Sequence, residues 1–193
     1  MASDGMVDLT EAGVITNARK PMDRGVSITG NLIGTRRLHR FADRNPGLRM
    51  CDTSYTHEPA VLARLDKLVT VNSAVEVDLT GQVNAEQAGA VYLGGTGGQV
   101  DFVRAGARSP GGHALIALPA TARGGTVSRI TARLSGPVTT ARSEVDVIVT
   151  EFGAAELKGR TLAERARRLA AIAHPAFRDD LEREARAIAQ RGF

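Results

Sequence analysis

The segment Gly94-Gly95-Thr96-Gly97-Gly98-Gln99-Val100-Asp101-Phe102-Val103-Arg104 is where the residue types of this chain most plainly suggest chemistry. Four glycines in five residues leave a backbone with almost no side-chain cover. Such a backbone adopts positive φ easily and lets a ligand approach closely. Its N–H groups can point at a negative oxygen, on a phosphate or developing in a transition state. A flexible linker carries serine and continues, whereas this stretch ends abruptly in Asp101, Phe102 and Arg104. We therefore expect a ligand-facing loop. It is not a P-loop, because no Lys-Ser or Lys-Thr follows the glycines. Nor does it fit a dinucleotide fingerprint, since Val100 stands where a third glycine is needed.

Other chemistry-bearing residues are less decisive. Asn72 lies on the polar side of an alternating run and reads equally as a ligand contact or a structural amide. Glu76 and Asp78 are close on that same side, where they could couple as an acid/base pair; solvation on an exposed strand face is the plainer expectation. Glu151 sits at the end of a predicted strand, where open α/β sheets bind ligands, and reads as a site residue or a structural one. His39, His57, His113 and His174 are scattered, and no Ser/His/Asp order makes a triad. His174, before Pro175, reads as a helix-end residue near the negative end of a helix dipole. The single cysteine, Cys51, has no partner for an internal disulfide and reads as core filler. No Cys/His cluster has zinc spacing, so no metal is expected.

The elements that must position these residues follow from patterning. At 193 residues the chain is expected to form one domain, residues 1–193. Its hydrophobic fraction of 42% supports a core built from Val, Leu, Ile and Ala, because aromatics are only 4% and Trp is absent. Ser3 or Asp4 caps a short helix ending near Gly13, and Val26–Thr29 is a strand. Thr35 caps a helix carrying Leu38 and Phe41. Asn45-Pro46-Gly47 is a turn, Leu48–Asp52 another strand, and a helix starts near Thr56, Glu58 and Pro59. From Val69 to Thr80 apolar and polar residues alternate: Val69, Val71, Ser73, Val75, Val77 and Leu79 form the expected core face. That length suits two strands or one bent strand. Strands are expected at 114–119, 138–140 and 145–150. A helix runs from Thr161 to Ala173 with Glu164 completing a capping box. His174-Pro175 breaks it, and a last helix carries Phe177, Leu181, Ala185 and Ile188. Strands alternating with helices predict an α/β fold, layered with helices on both faces of a sheet.

The charge balance is 25 − 21 = +4. Aromatic platforms and a dense Lys/Arg block are missing, so nucleic acid is not an expected partner. An anionic small ligand suits the charge. No signal peptide opens the sequence and no apolar run approaches the ~20 residues of a membrane span. A cytoplasmic location is the expectation, with no membrane partner.

Several motifs together resemble the acetyl-CoA hydrolase/transferase family, which includes acetate and 4-hydroxybutyrate CoA-transferases. The run from Val71 to Asn84, VNSAVEVDLTGQVN, is similar to a family signature, and Gly95–Arg104 to its glycine loop. Leu118–Ala122, Val138–Thr140, Val149–Gly153 and Ile172–Arg178 follow in the family's order, and Ser3-Asp4-Gly5 also fits. The likeness covers nearly the whole chain and corresponds to the C-terminal half of the family. Arg104-Ala105-Gly106-Ala107 departs from the family's usual Arg-Gly-Ala.

The resemblance implies a CoA-transferase-like, three-layer α/β domain with an open sheet flanked by helices. It implies transfer of CoA between small carboxylic acids through a glutamyl-CoA thioester, or hydrolysis when water replaces the acceptor. Coenzyme A, as substrate, would lie along Gly94, Gly95, Gly97 and Gly98. Gly95 would be the leading oxyanion contact, and Asn72 matches a CoA-contacting position. The family's glutamate nucleophile would fall immediately before Met1 by spacing, and Glu11 occupies a different motif position. The expected partners are acyl-CoA, a small carboxylate, a complementing N-terminal chain and further copies in a homo-oligomer. The alternative is a catalytically inactive CoA-binding or partner-binding remnant lacking the glutamate.

Overall fold

The computed structural model describes residues 1–191. The chain divides into two compact units, Met1–Asp66 and Lys67–Phe193. The first contains α1 (Asp4–Glu11), β1 (Ser27–Thr29), α2 (Arg36–Ala42), β2 (Leu48–Met50), α3 (Thr53–Thr56) and α4 (Pro59–Leu62). The expected cap of α1 is absent: Ser3 stands at the N-cap without a side-chain cap bond, and the Asp4 carboxylate accepts from Thr35 N and Oγ1 instead, whereas α2 and α4 are capped by side chains. Thr35 accepts from Arg37 N, and Glu58 accepts from Ala60 N with Pro59 at the first helical position. α1 and α2 bury Val7 and Leu38 against Ala2, with Met6, Leu32 and Phe41 packed around them. Arg37 on α2 pairs with Asp8 and Glu11 on α1. β1 and β2 pair in parallel, Ser27 opposite Leu48. Asp23 accepts from Tyr55 Oη at 2.5 Å and pairs with Arg49 at 3.2 Å.

The second unit starts with β3 (Val69–Asn72), β4 (Glu76–Asp78), β5 (Val83–Asn84), β6 (Gln87–Ala88) and β7 (Val91–Tyr92). The glycine loop leads into α5 (Gln99–Arg108), then β8 (His113–Ala117), β9 (Thr121–Ala122), β10 (Val127–Ser128) and β11 (Ile130–Thr131). β12 (Val147–Thr150), β13 (Gly153–Glu156), α6 (Leu162–Ala171) and α7 (Pro175–Arg191) complete it. The main sheet has the order β13-β12-β8-β3. β3, β8 and β12 run parallel, and β13 returns antiparallel from β12. A second sheet, β11-β4-β5, shares the same core. That core joins Val77, Leu79, Ile116 and Ile148 from the strands to Val103, Leu169 and Leu181 from the helices. The unit is a mixed α/β structure of open sheets flanked by helices.

Three further local expectations change. Val69 and Val71 do not face the core: they are 55% and 66% exposed, while Thr70 between them is 6% exposed. β3 is an edge strand whose inner face packs closely on α5, and Thr70 and Gly106 fill that contact. A Cβ on Gly106 would lie 2.7 Å from both Thr70 Oγ1 and His113 O, so only small groups fit there. Residues 138–140 form no regular strand; Thr140 makes only a bridge to Val83. α5, unanticipated as a helix, buries Gln99, Val103 and Gly106, a spacing of four and three whose outer members are not apolar.

Candidate functional site

The three parallel strands end at one edge of the main sheet, at Asn72, Ala117 and Thr150. Open α/β sheets bind ligands outside that carboxyl edge. The crossover from β3 through α5 to β8 returns the start of α5 to this edge, and hydrogen bonds hold it there. Gln99, the first residue of α5, is 9% exposed. Its Nε2 donates to Ser73 O at 2.7 Å, and its Oε1 accepts from Thr140 Oγ1 at 2.9 Å. The other stem of the loop is held similarly. Leu93 N donates to Glu86 O at 2.7 Å. The Glu86 carboxylate accepts from Thr139 Oγ1 at 2.8 Å, and that hydroxyl accepts from Ala85 N at 2.8 Å. Adjacent threonines thus anchor both stems, and their backbone N–H groups both donate to Val83 O, which a regular strand ladder does not do.

Between the stems the loop is open. Among the described residues, the N–H groups of Gly94, Gly95, Thr96, Gly97 and Gly98 donate to no acceptor. Gly97 has φ +55°, a conformation that favours glycine. Gly94 and Gly95 have no such φ, and a Cβ on either would meet nothing within 4 Å. The fold itself therefore does not demand glycine at those two positions. Asn72, one residue before the anchored Ser73, has a buried Nδ2 with no hydrogen-bond partner. A buried amide donor left unpaired costs roughly 1–3 kcal/mol.

The carboxylate pair of the sequence reading is corrected. Glu76 and Asp78 are not solvated on an open face; they are 7% and 3% exposed. Glu76 Oε1 accepts from Asn84 Nδ2, Ser135 N, Ser135 Oγ and Gly136 N at 2.8–3.2 Å. Asp78 organises the turn after β4, accepting from Thr80 N and Oγ1, Gln82 N and Gln82 Nε2. Both are hubs that satisfy loop donors. Glu151 follows β12 at the carboxyl edge and accepts from Ala120 N at 2.8 Å. Hydrogen bonds from its own backbone and from Ala120 hold its carboxyl below the usual range.

The histidines do not converge. His39 and His57 belong to the first unit. In the second, His113 begins β8 at the amino edge, 3.7 Å from Asp146, while His174 stacks edge-on against Phe152 near the carboxyl edge. His174 Nδ1 accepts from Ala176 N, so it caps the start of α7 rather than serving the negative end of α6. Cys51 is half-buried and free rather than packed in a core. Glu11 is engaged by Arg37 at 2.6 Å. Among the described residues no group of His, Cys, Asp and Glu could hold a metal ion, and no helix is long and apolar enough to cross a membrane.

An open α/β sheet with a glycine loop at its carboxyl edge is the architecture of solved CoA-transferase family structures. Residues 34–185 match the acetyl-CoA hydrolase/transferase C-terminal domain, and the chain belongs to that family. It is 47% identical over 186 residues to the 4-hydroxybutyrate coenzyme A transferase of Clostridium kluyveri, covering 95% of this chain and 43% of that protein. The crystal structure of RipA from Yersinia pestis superposes with a TM-score of 0.88 at 41% identity, covering 97% of this chain and 41% of that one. A 4-hydroxybutyrate CoA-transferase from Porphyromonas gingivalis superposes with a TM-score of 0.84 at 38% identity, covering 97% and 44%. The chain spans less than half the length of these relatives.

Proposed function

We propose that this chain contributes the CoA-binding and oxyanion-binding part of an acyl-CoA hydrolase or CoA-transferase. The observation that carries this reading is the loop at 94–98: its N–H groups are unengaged, and two of its glycines are not required by the fold. Where the native backbone permits it, alanine in place of glycine stabilises a protein by roughly 0.4–1 kcal/mol, so glycine at such a position is a cost to the fold. A ligand lying against the loop gives the bare backbone a purpose. Coenzyme A is the ligand that family membership favours, with Asn72 and Gly94, Gly95, Gly97 and Gly98 as its contacts and acyl-CoA and a small carboxylate as the reactants.

The chemistry follows from a carboxylate nucleophile, which this reading places outside residues 1–193. A glutamate oxygen attacks the thioester carbonyl, and the loop N–H groups stabilise the oxyanion while the CoA thiolate leaves. The thiolate attacks the glutamyl carbonyl of the resulting anhydride and releases the first acid. The acceptor carboxylate then attacks the glutamyl-CoA thioester, and the expelled thiolate takes the new acyl group from that second anhydride. Water attacking the thioester instead gives hydrolysis.

Calorimetry with CoA tests the reading. Wild-type chain should bind, and Gly95→Ala should bind at least about tenfold more weakly, about 1.4 kcal/mol, without loss of thermal stability. Equal affinity for both would remove the loop from the site. No binding by the wild type would overturn the CoA assignment for this chain.

A further inference from the structure

Arg129 is half-buried and lies at the same carboxyl edge. Its backbone is fixed on both sides: Arg129 N donates to Ala120 O at 2.9 Å, and its carbonyl accepts from Val77 N at 2.8 Å. Its side chain reaches the turn that follows Asn72, where Nη1 donates to Ala74 O at 3.2 Å. Nε is buried and has no hydrogen-bond partner. Among the described residues no carboxylate lies within ion-pair distance of this guanidinium. Arg165 shows the contrast. It is 8% exposed, and it spends Nε on Arg160 O and Nη1 on Thr80 O and Arg142 O.

A buried guanidinium N–H without an acceptor is costly, and the Nε–H of Arg129 has lost water without gaining one. The unengaged edge is informative. With Nη1 on Ala74, the Nε–H and the Nη2–H beside it remain as a pair of parallel donors. That fork matches the two oxygens of a carboxylate. We propose that Arg129 binds the carboxylate of the acid substrate at the turn beside Asn72. The inference rests on the reading of this edge as the place where acyl-CoA and acid meet, and it adds the residue that receives the acid. Arg129 orients the carboxylate by both oxygens and offsets its charge when water is displaced.

Side-chain and backbone 15N–1H spectra of the chain provide the test, with butyrate, inorganic phosphate and CoA titrated separately at constant ionic strength. Butyrate should move the Arg129 Nε–H resonance saturably, together with the backbone amides of residues 73–75. Arg129→Lys, which keeps the charge but lacks the fork, should lose the saturable butyrate response at 73–75 while CoA still moves the amides of 94–98. An Arg129 Nε–H resonance unmoved by butyrate overturns the assignment. So does one moved only by phosphate or CoA, or an undiminished butyrate response in Arg129→Lys. A butyrate response at Arg129 with no CoA response at 94–98 would support the carboxylate site while sinking the CoA reading of the loop.

Discussion

Gln99 Nε2 donates to Ser73 O at 2.7 Å, joining the first residue of a helix to the residue that follows a parallel strand. Through this bond the glycine loop is held beside Asn72. The Gln99 amide is used at both ends, since Thr140 Oγ1 donates to its oxygen. Gln99→Leu leaves the hydroxyl of the fully buried Thr140 without its acceptor and takes a donor from Ser73 O. Unfolding in urea should show a loss of about 1–3 kcal/mol, and CoA affinity should fall along with it. Unchanged affinity in the folded variant would mean that the loop does not need this anchor.

Gly106 tests the helix–strand contact beneath the site. A Cβ there would lie 2.7 Å from His113 O, a backbone atom that cannot swing aside. Gly106→Ala should destabilise the chain by roughly 1–3 kcal/mol, the usual cost of overpacking. The fall in urea midpoint checks this, and a midpoint equal to that of Gly95→Ala would contradict the packing described.

Glu76 is a structural carboxylate, so Glu76→Gln separates folding from function. The amide would present an NH2 group or a weaker acceptor to donors now gathered on Oε1. Hydrogen bonds to charged groups contribute about 1.5–3 kcal/mol, and a stability loss of that order is expected in denaturant titration. CoA affinity per folded molecule should stay the same. A selective loss of binding would return Glu76 to the candidate site.

The capping box of α6 predicts a pH dependence. Hydrogen bonds from the Thr161 backbone and then its hydroxyl hold the Glu164 carboxyl below the usual range. A group with a depressed folded pKa stabilises the fold above its unfolded pKa, near ~4.3 for Glu, and loses that contribution as pH falls through the lower folded value. Urea midpoints recorded from neutral to acid pH should drop more for wild type than for Glu164→Gln in that window. Parallel curves would show that the cap does not titrate as described.

Sequence patterning was enough for the helices whose signals are local. Thr35 and the Thr161/Glu164 pair announced helix starts, and His174-Pro175 announced a break, because capping is a matter of a few neighbouring residues. The glycine loop was legible for the same reason: bare backbone is visible in composition. α5 was not, since its buried face begins with a glutamine and ends with a glycine, and both gain their meaning from Ser73, Thr140 and His113 far along the chain.

The sequence by itself determined a bare glycine-rich loop, an α/β alternation and the family. Only the tertiary structure decided which polar groups are supports and which are available. Glu76 and Asp78 have the same alternation as Asn72, yet their oxygens are filled by loop donors while Asn72 Nδ2 is left unpaired. Likewise Arg165 is spent on carbonyls, and Arg129 keeps one edge free. Residue type gives a group's capacity to bond; whether that capacity is already used depends on partners that folding brings from distant parts of the chain.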